Sequence, residues 1–130
     1  MLDHVAVSVR DYKKSKAFYE KALAPLGITL IMEFGPAGGF GKNGKPFFWI
    51  GEGKPDYWKD GHEAARAPIH VAFRAPDRKT VDEFYAVALA AGGIDHGAPG
   101  IRAHYHPHYY GAFLLDLDGN DIEAVCHEAP

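Results

Sequence analysis

The chain has one cysteine, Cys126, so no disulfide can form within it, and a lone thiol fits a reducing, cytoplasmic setting. It has no long apolar run: the strongest, PFFWI at 46–50, is strand-sized and far short of a membrane span. The start, MLDHVAVSV, lacks a basic leader and runs straight into a strand pattern, which argues against a signal peptide. Positive charge is not in excess. With 14 Lys and Arg against 17 Asp and Glu the net charge is −3, which gives no electrostatic footing for nucleic acid or an anionic membrane. The glycine-rich GPAGGFGKNG at 35–44 lacks the lysine-serine/threonine ending of a phosphate loop and lies in a hairpin, not before a helix. What remains is the composition of a soluble globular domain, 47% hydrophobic and 24% charged over 130 residues.

What the chain does have is a duplication. DHVAVSVRDYKKSKAFYEKALAPLGI at 3–28 falls on IHVAFRAPDRKTVDEFYAVALAAGGI at 69–94. His4 meets His70, Asp11 meets Asp77, Phe18-Tyr19 meets Phe84-Tyr85, and Gly27-Ile28 meets Gly93-Ile94. Self-similarity of this kind sets the architecture before any propensity argument. Each copy opens with an apolar, β-branched run, at 4–9 and 69–75. Asp11 and Asp77 follow as helix N-caps, because a carboxylate there accepts the free first-turn amides. Helices of about a dozen residues come next, with Val81, Phe84, Tyr85 and Ala88 on one apolar stripe and Phe18, Tyr19, Ala22 and Leu23 on the other. Gly27 and Gly93 are expected to end them.

The period then changes to that of strands, expected near 28–34, 37–42 and 46–51, and again near 94–97, 109–117 and 121–127. Asn43-Gly44 and Asp118-Gly119 supply the turns. The chain is thus expected to be one α+β domain of two tandem βαβββ modules, about 1–53 and 68–130, joined by a surface linker at about 54–67. Together they would form a curved mixed β-sheet around a cleft.

Alternation along the strands puts His4, Ala6 and Ser8 on one face, His70, Ala72 and Arg74 on the equivalent face, and Glu123, Val125 and His127 together on the last strand. Cys126 then faces the helix side, as a buried, inert thiol. DHVAVSV, PIHVAF and the tail YYGAFLLDLDGNDIEAVCH resemble the vicinal oxygen chelate superfamily, which includes glyoxalase I, bleomycin-resistance proteins, fosfomycin-resistance enzymes and extradiol dioxygenases. The resemblance covers nearly the whole chain. It implies that His4, His70 and Glu123 are the ligands of a divalent metal. Two imidazoles and one carboxylate on rigid strands suit Zn, Fe, Mn, Co or Ni and leave coordination positions open for substrate.

Aligning Gly44 with Gly119 matches Glu123 with Phe48, where a glyoxalase I site would be expected to carry a second carboxylate. Phenylalanine cannot take a proton, so a three-ligand site is closer to the fosfomycin-resistance enzymes or the extradiol dioxygenases. In HYHPHYY at 104–110, His106, Tyr109 and Tyr110 are candidates to hydrogen-bond or protonate a substrate oxygen, as the histidine and tyrosine beside iron do in an extradiol enzyme; equally they could be aromatics closing the cleft mouth. Phe48 is expected to line the cleft and Phe47 and Trp49 to face the helix. Ser8 and Arg74 are candidates for substrate binding, and Arg74 could hold an anionic group or reach solvent.

The resemblance implies a metal-dependent enzyme acting on a small molecule with vicinal oxygens, as lyase, isomerase, transferase or ring-cleaving dioxygenase. It also implies a homodimer, in some members with halves exchanged between chains. The rival is a non-catalytic antibiotic-binding protein of the bleomycin-resistance type, with an aromatic-lined cleft and no metal ligands.

Overall fold

The structure is a computed structural model describing residues 1–130. The first module runs β1 (Val5–Val9), α1 (Tyr12–Ala22), a 3-10 turn at Ala24–Leu26, β2 (Thr29–Phe34), β3 (Ala37–Lys42) and β4 (Lys45–Glu52). The second runs β5 (His70–Arg74), α2 (Arg78–Ala90), β6 (Ile94–Ile101), β7 (Tyr110–Leu115) and β8 (Asp121–Cys126). The two strand orders are identical, β1-β4-β3-β2 and β5-β8-β7-β6, with the first and last strands of each module parallel and the other pairs antiparallel. The modules therefore build two four-stranded sheets, one each.

Both helices start as the sequence requires. The Asp11 carboxylate accepts from the Lys14 amide at 3.1 Å and Asp77 accepts from Thr80 at 2.7 Å. The stops differ from expectation. After α1 the chain makes one tighter turn before Gly27, in the left-handed region at φ 72°, reverses it. After α2 the left-handed residue is Gly92, at φ 113°, not Gly93.

One apolar core joins the modules. Val7, Val9, Phe48 and Ile50 from the first sheet and Phe73, Ile122, Ala124 and Cys126 from the second share a cluster with Phe18, Tyr19, Phe84 and Ala88 of the helices. Phe48 packs edge-on to Tyr19 at 5.0 Å and to Phe73 at 5.3 Å. Polar ties reinforce the join. Asp116, in the turn before β8, is buried and accepts from the Tyr19 hydroxyl at 2.5 Å, while Asp118 accepts from the Arg10 amide and guanidinium at 3.0 and 3.1 Å. Burial, followed by the Asp116 charge, pushes the Tyr19 phenol well above its ordinary value, so it stays a donor.

Because each sheet turns its helix-side face into that shared core, the opposite faces point away from it. One carries His4, Ala6 and Ser8, the other His70, Ala72 and Arg74, and in both sets the first residue is exposed. No helix of the chain is long and apolar enough to cross a membrane.

Candidate functional site

The densest polar chemistry lies on the outer face of the second sheet. β5 and β8 run parallel with His70 opposite Asp121 and Ala72 opposite Glu123, and the small Ala72 leaves room beside the carboxylate. His70 Nε2 lies 3.0 Å from Glu123 Oε2, and its Nδ1 faces the Asp121 carbonyl at 3.1 Å and carboxylate at 3.0 Å. Glu123 is 1% exposed. Its other oxygen accepts from the Tyr109 hydroxyl. Burial, then the bond to Glu123, pushes the Tyr109 phenol far above its ordinary value, so Tyr109 acts as a hydrogen-bond donor and not as a base. Gly111 makes this possible: a Cβ there would lie 3.1 Å from Glu123 Oε1 and 3.2 Å from the Tyr109 ring.

Behind Tyr109, His106 Nε2 lies 2.8 Å from His127 Nδ1, and the Tyr109 ring stands edge-on to both imidazoles. The His108 amide donates to His106 Nδ1 at 3.1 Å, which assigns the His106 proton to Nε2 and makes it the donor to His127.

His4 is elsewhere. Its side chain is 57% exposed and its Nδ1 meets Asp3 at 2.7 Å. It lines a groove of about 360 Å³ over the outer face of the first sheet with Ala6, Ser8, Trp49, Lys54 and Tyr57. Neither His70 nor Glu123 borders that groove, and no group of three or more His, Cys, Asp and Glu side chains is placed to hold one ion.

Residues 1–124 match the Glyoxalase/Bleomycin resistance protein/Dioxygenase superfamily. The chain belongs to this superfamily. It is similar to a glyoxalase/bleomycin resistance protein from Albidiferax ferrireducens T118, at 29% identity over 98% of this chain and 99% of that one, with a TM-score of 0.77. It shares its fold with lactoylglutathione lyase from Agrobacterium tumefaciens, at 17% identity, coverages of 97% and 92%, and a TM-score of 0.70. A mutant of the fosfomycin resistance protein FosX from Listeria monocytogenes, complexed with Mn(II) and 1S,2S-dihydroxypropylphosphonic acid, shares it too, at 21% identity, coverages of 96% and 88%, and a TM-score of 0.65. No curated protein matches the chain.

Against the superfamily's implied ligand set, His70 and Glu123 fit a divalent metal by their donor chemistry. An imidazole nitrogen and a carboxylate oxygen meet edge to edge, and the far imidazole nitrogen is oriented by a carbonyl and a carboxylate, the usual support of a metal-bound histidine. His4 of the same chain does not complete the set.

Several expectations need correction. Phe48 does not line the His4 groove; it is 1% exposed, in the core, and borders instead the hollow that Val5, Phe47 and Val71 also line. β1 pairs with β4 so that Ala6 opposes Trp49, just as Ala72 opposes Glu123, so the counterpart of Glu123 is Trp49. The slip arose from matching glycines in turns of unequal length: two residues, 43–44, separate β3 from β4, whereas five, 116–120, separate β7 from β8. Tyr110 opposes Cys126 and turns to the helix side, where its hydroxyl donates to Asp82 at 2.7 Å and the Arg78 guanidinium covers its ring; that bond, then burial, raises its phenol. Ser8 Oγ donates to the Gly53 carbonyl at 2.5 Å, at the end of the His4 groove. Arg74 is exposed and borders a different hollow, with Val5, Phe47 and Val71. Sequence reading passed over Asp121 and the pairing of His127. The first was visible in the parallel register, which brings residue 121 opposite His70, and the second in the shared face of Glu123 and His127.

Proposed function

We propose that the chain is a divalent-metal-dependent enzyme acting on a small molecule with vicinal oxygens. In this reading His70 and Glu123 of one copy and His4 of a second copy hold the metal. The observation that carries the reading is the buried Glu123 carboxylate meeting the His70 imidazole edge to edge, with Asp121 fixing the far side of the ring. A hidden carboxylate on an outer sheet face is costly unless charge or donors compensate it, and here its surroundings supply ligand chemistry. The outward-facing His4 and His70 support a homodimer in which the face of one first module (about 1–53) meets the face of another second module (about 68–130), the linker at about 54–67 remaining outside. A cytoplasmic setting is part of the proposal and rests on the single buried thiol.

When bound, the metal would act as a Lewis acid toward substrate oxygens. The chain's own residues do the rest. Tyr109 spends its one O–H on holding Glu123 in place, and its phenol resists ionisation. Trp49, at the position symmetric to Glu123, brings an indole and no exchangeable carboxylate proton, which argues against the two-carboxylate proton shuttle of a glyoxalase I reaction and favours lyase, transferase or dioxygenase chemistry.

The test is metal content on protein purified without chelator, followed by complementation. Glu123→Ala and His4→Ala should each lose the metal alone. Mixed and allowed to exchange chains at random, they should regain about a quarter of the wild-type content, because about half of the dimers are then mixed and one of the two sites in each mixed dimer has all its ligands. Metal retained in Glu123→Ala would end the proposal, and loss in both without recovery on mixing would end its shared site. The groove of Trp49 and Tyr57 beside His4 favours one rival, a sequestering protein; an intact, metal-free protein that binds an antibiotic would establish it.

A further inference from the structure

Between Asp95 and Gly100 the pairing of β6 with β7 shifts twice, on either side of Gly97, and the second shift falls in Gly97-Ala98-Pro99-Gly100. The guanidinium of Arg102 fills the space this opens. A Cβ at Gly97 would stand 3.1 Å from its Nη2, and one at Gly100 would stand 3.2 Å from its Nη1. Nη2 donates to the Ala98 carbonyl at 2.9 Å, and the central carbon lies 5.2 Å from the centre of the Phe113 ring. Glycine backbone, a carbonyl and an aromatic face thus hold the group without any carboxylate in ion-pair contact. Arg10 and Arg66, by contrast, both approach Asp118. Holding a flat cation in a fitted seat with most of its five N–H donors unused is how a protein prepares to receive an oxyanion.

The hollow beside it supports the same conclusion. It measures about 250 Å³ and is bordered by His96, Arg102, His104, Tyr105, Phe113 and Asp121. The one acidic wall, Asp121, turns its Oδ2 to His70 Nδ1 at 3.0 Å. Phe113 links this hollow to the candidate metal centre. It opposes Glu123 across the β7–β8 ladder, and its ring stacks on His70 with centroids 6.1 Å apart and planes 22° from parallel.

We propose that this hollow is an anion subsite. It takes the carboxylate, phosphate or phosphonate end of the small molecule, held by Arg102, while the oxygen-bearing end reaches the His70–Glu123 pair. As a statement about substrate it rests on the metal-site reading above; as a binding site it stands on Arg102 and its seat. Two parallel N–H···O bonds from a guanidinium are the preferred grip on such groups, with the imidazoles of His96 and His104 and the Tyr105 hydroxyl as additional donors.

Metal-free protein should be titrated with methylphosphonate and with acetate, following amide chemical shifts. Saturable shifts centred on 96–105 are expected with at least one probe. Arg102→Gln should weaken binding at least about tenfold and Arg102→Lys less, because the charge remains while the fork is lost. Glu123→Ala, which removes the proposed metal ligand, should leave anion affinity within about twofold. Absence of saturable binding, or equal affinity in Arg102→Gln with its fold confirmed by circular dichroism, overturns the subsite. Loss in Glu123→Ala but not in Arg102→Gln also overturns it, by moving the anion to the His70–Glu123 pair. Arg102→Gln should keep whatever metal the wild type carries, so a failure of the metal reading appears in metal content and a failure of the subsite in the titration.

Discussion

Replacing Tyr109 with phenylalanine isolates one interaction at the candidate site. The ring would remain packed against Tyr105, His106 and His127, with centroids 4.7, 5.5 and 5.3 Å away, so no cavity opens. Only the hydroxyl on Glu123 Oε1 disappears. That oxygen is buried, and its carboxylate keeps His70 Nε2 as its one other side-chain partner. A hydrogen bond to a charged acceptor is worth about 1.5–3 kcal/mol, and an acceptor stranded out of water costs on the same scale, so Tyr109→Phe should destabilise the metal-free chain by about 2 kcal/mol. Urea unfolding should show a lower midpoint with an unchanged slope, since the surface exposed on unfolding is the same. In a Glu123→Gln background the same replacement should cost about 1 kcal/mol, the value of a neutral hydrogen bond, and the difference measures the charge-assisted part. The alkaline limb offers a second readout. The raised Tyr109 phenol contributes stability that is complete below the unfolded value of about 10 and is lost as pH climbs through the higher folded value. Above about pH 10 the wild type should therefore lose stability more steeply than Tyr109→Phe. Equal cost in the Glu and Gln backgrounds, or a loss below about 0.5 kcal/mol, would refute the claim that this hydroxyl holds a buried charge.

Gly111→Ala should damage the same pair from the backbone side. The new methyl would crowd Glu123 Oε1 and the Tyr109 ring, at a cost of about 1–3 kcal/mol in thermal or urea unfolding and with reduced metal content; unchanged stability would mean that the carboxylate can shift freely. Asp116→Ala should cost about 3–5 kcal/mol in urea unfolding, because it strands the Tyr19 hydroxyl, the amides of Asp118 and Asn120 and the Asn120 side chain; a loss near that of an exposed residue would show the cluster to be incidental.

The duplication made the fold legible because every level agreed: Asp11 and Asp77 cap, Phe18 and Phe84 bury, and His4 and His70 open equivalent strands on equivalent faces. The pairing of His70 with Glu123 was within reach for the same reason, since alternation settles which side chains share a face. Two things were not. A one-residue difference in register reverses a strand's faces, so matching Gly44 to Gly119 exchanged Phe48 for Trp49 as the counterpart of Glu123. Nor does periodicity say which surface of one module packs on the other. The inward packing of Phe48 on Phe73, which turns His4 away from His70 and Glu123, follows from side-chain fit between distant segments. Arg102 was hidden for a related reason: its seat depends on two breaks in pairing on either side of Gly97, which a strand pattern at 94–97 does not reveal.

The buried knot of Tyr19 and Asp116 has a consequence for the ancestry of the molecule. A half-length precursor would have needed a twin to cover Phe73 and to supply the hydroxyl that Tyr19 gives Asp116, so the fused protein inherits two halves that have given up solitary life. Heating should melt them in a single cooperative step, and a fragment of residues 68–130 alone should remain unfolded or assemble with itself.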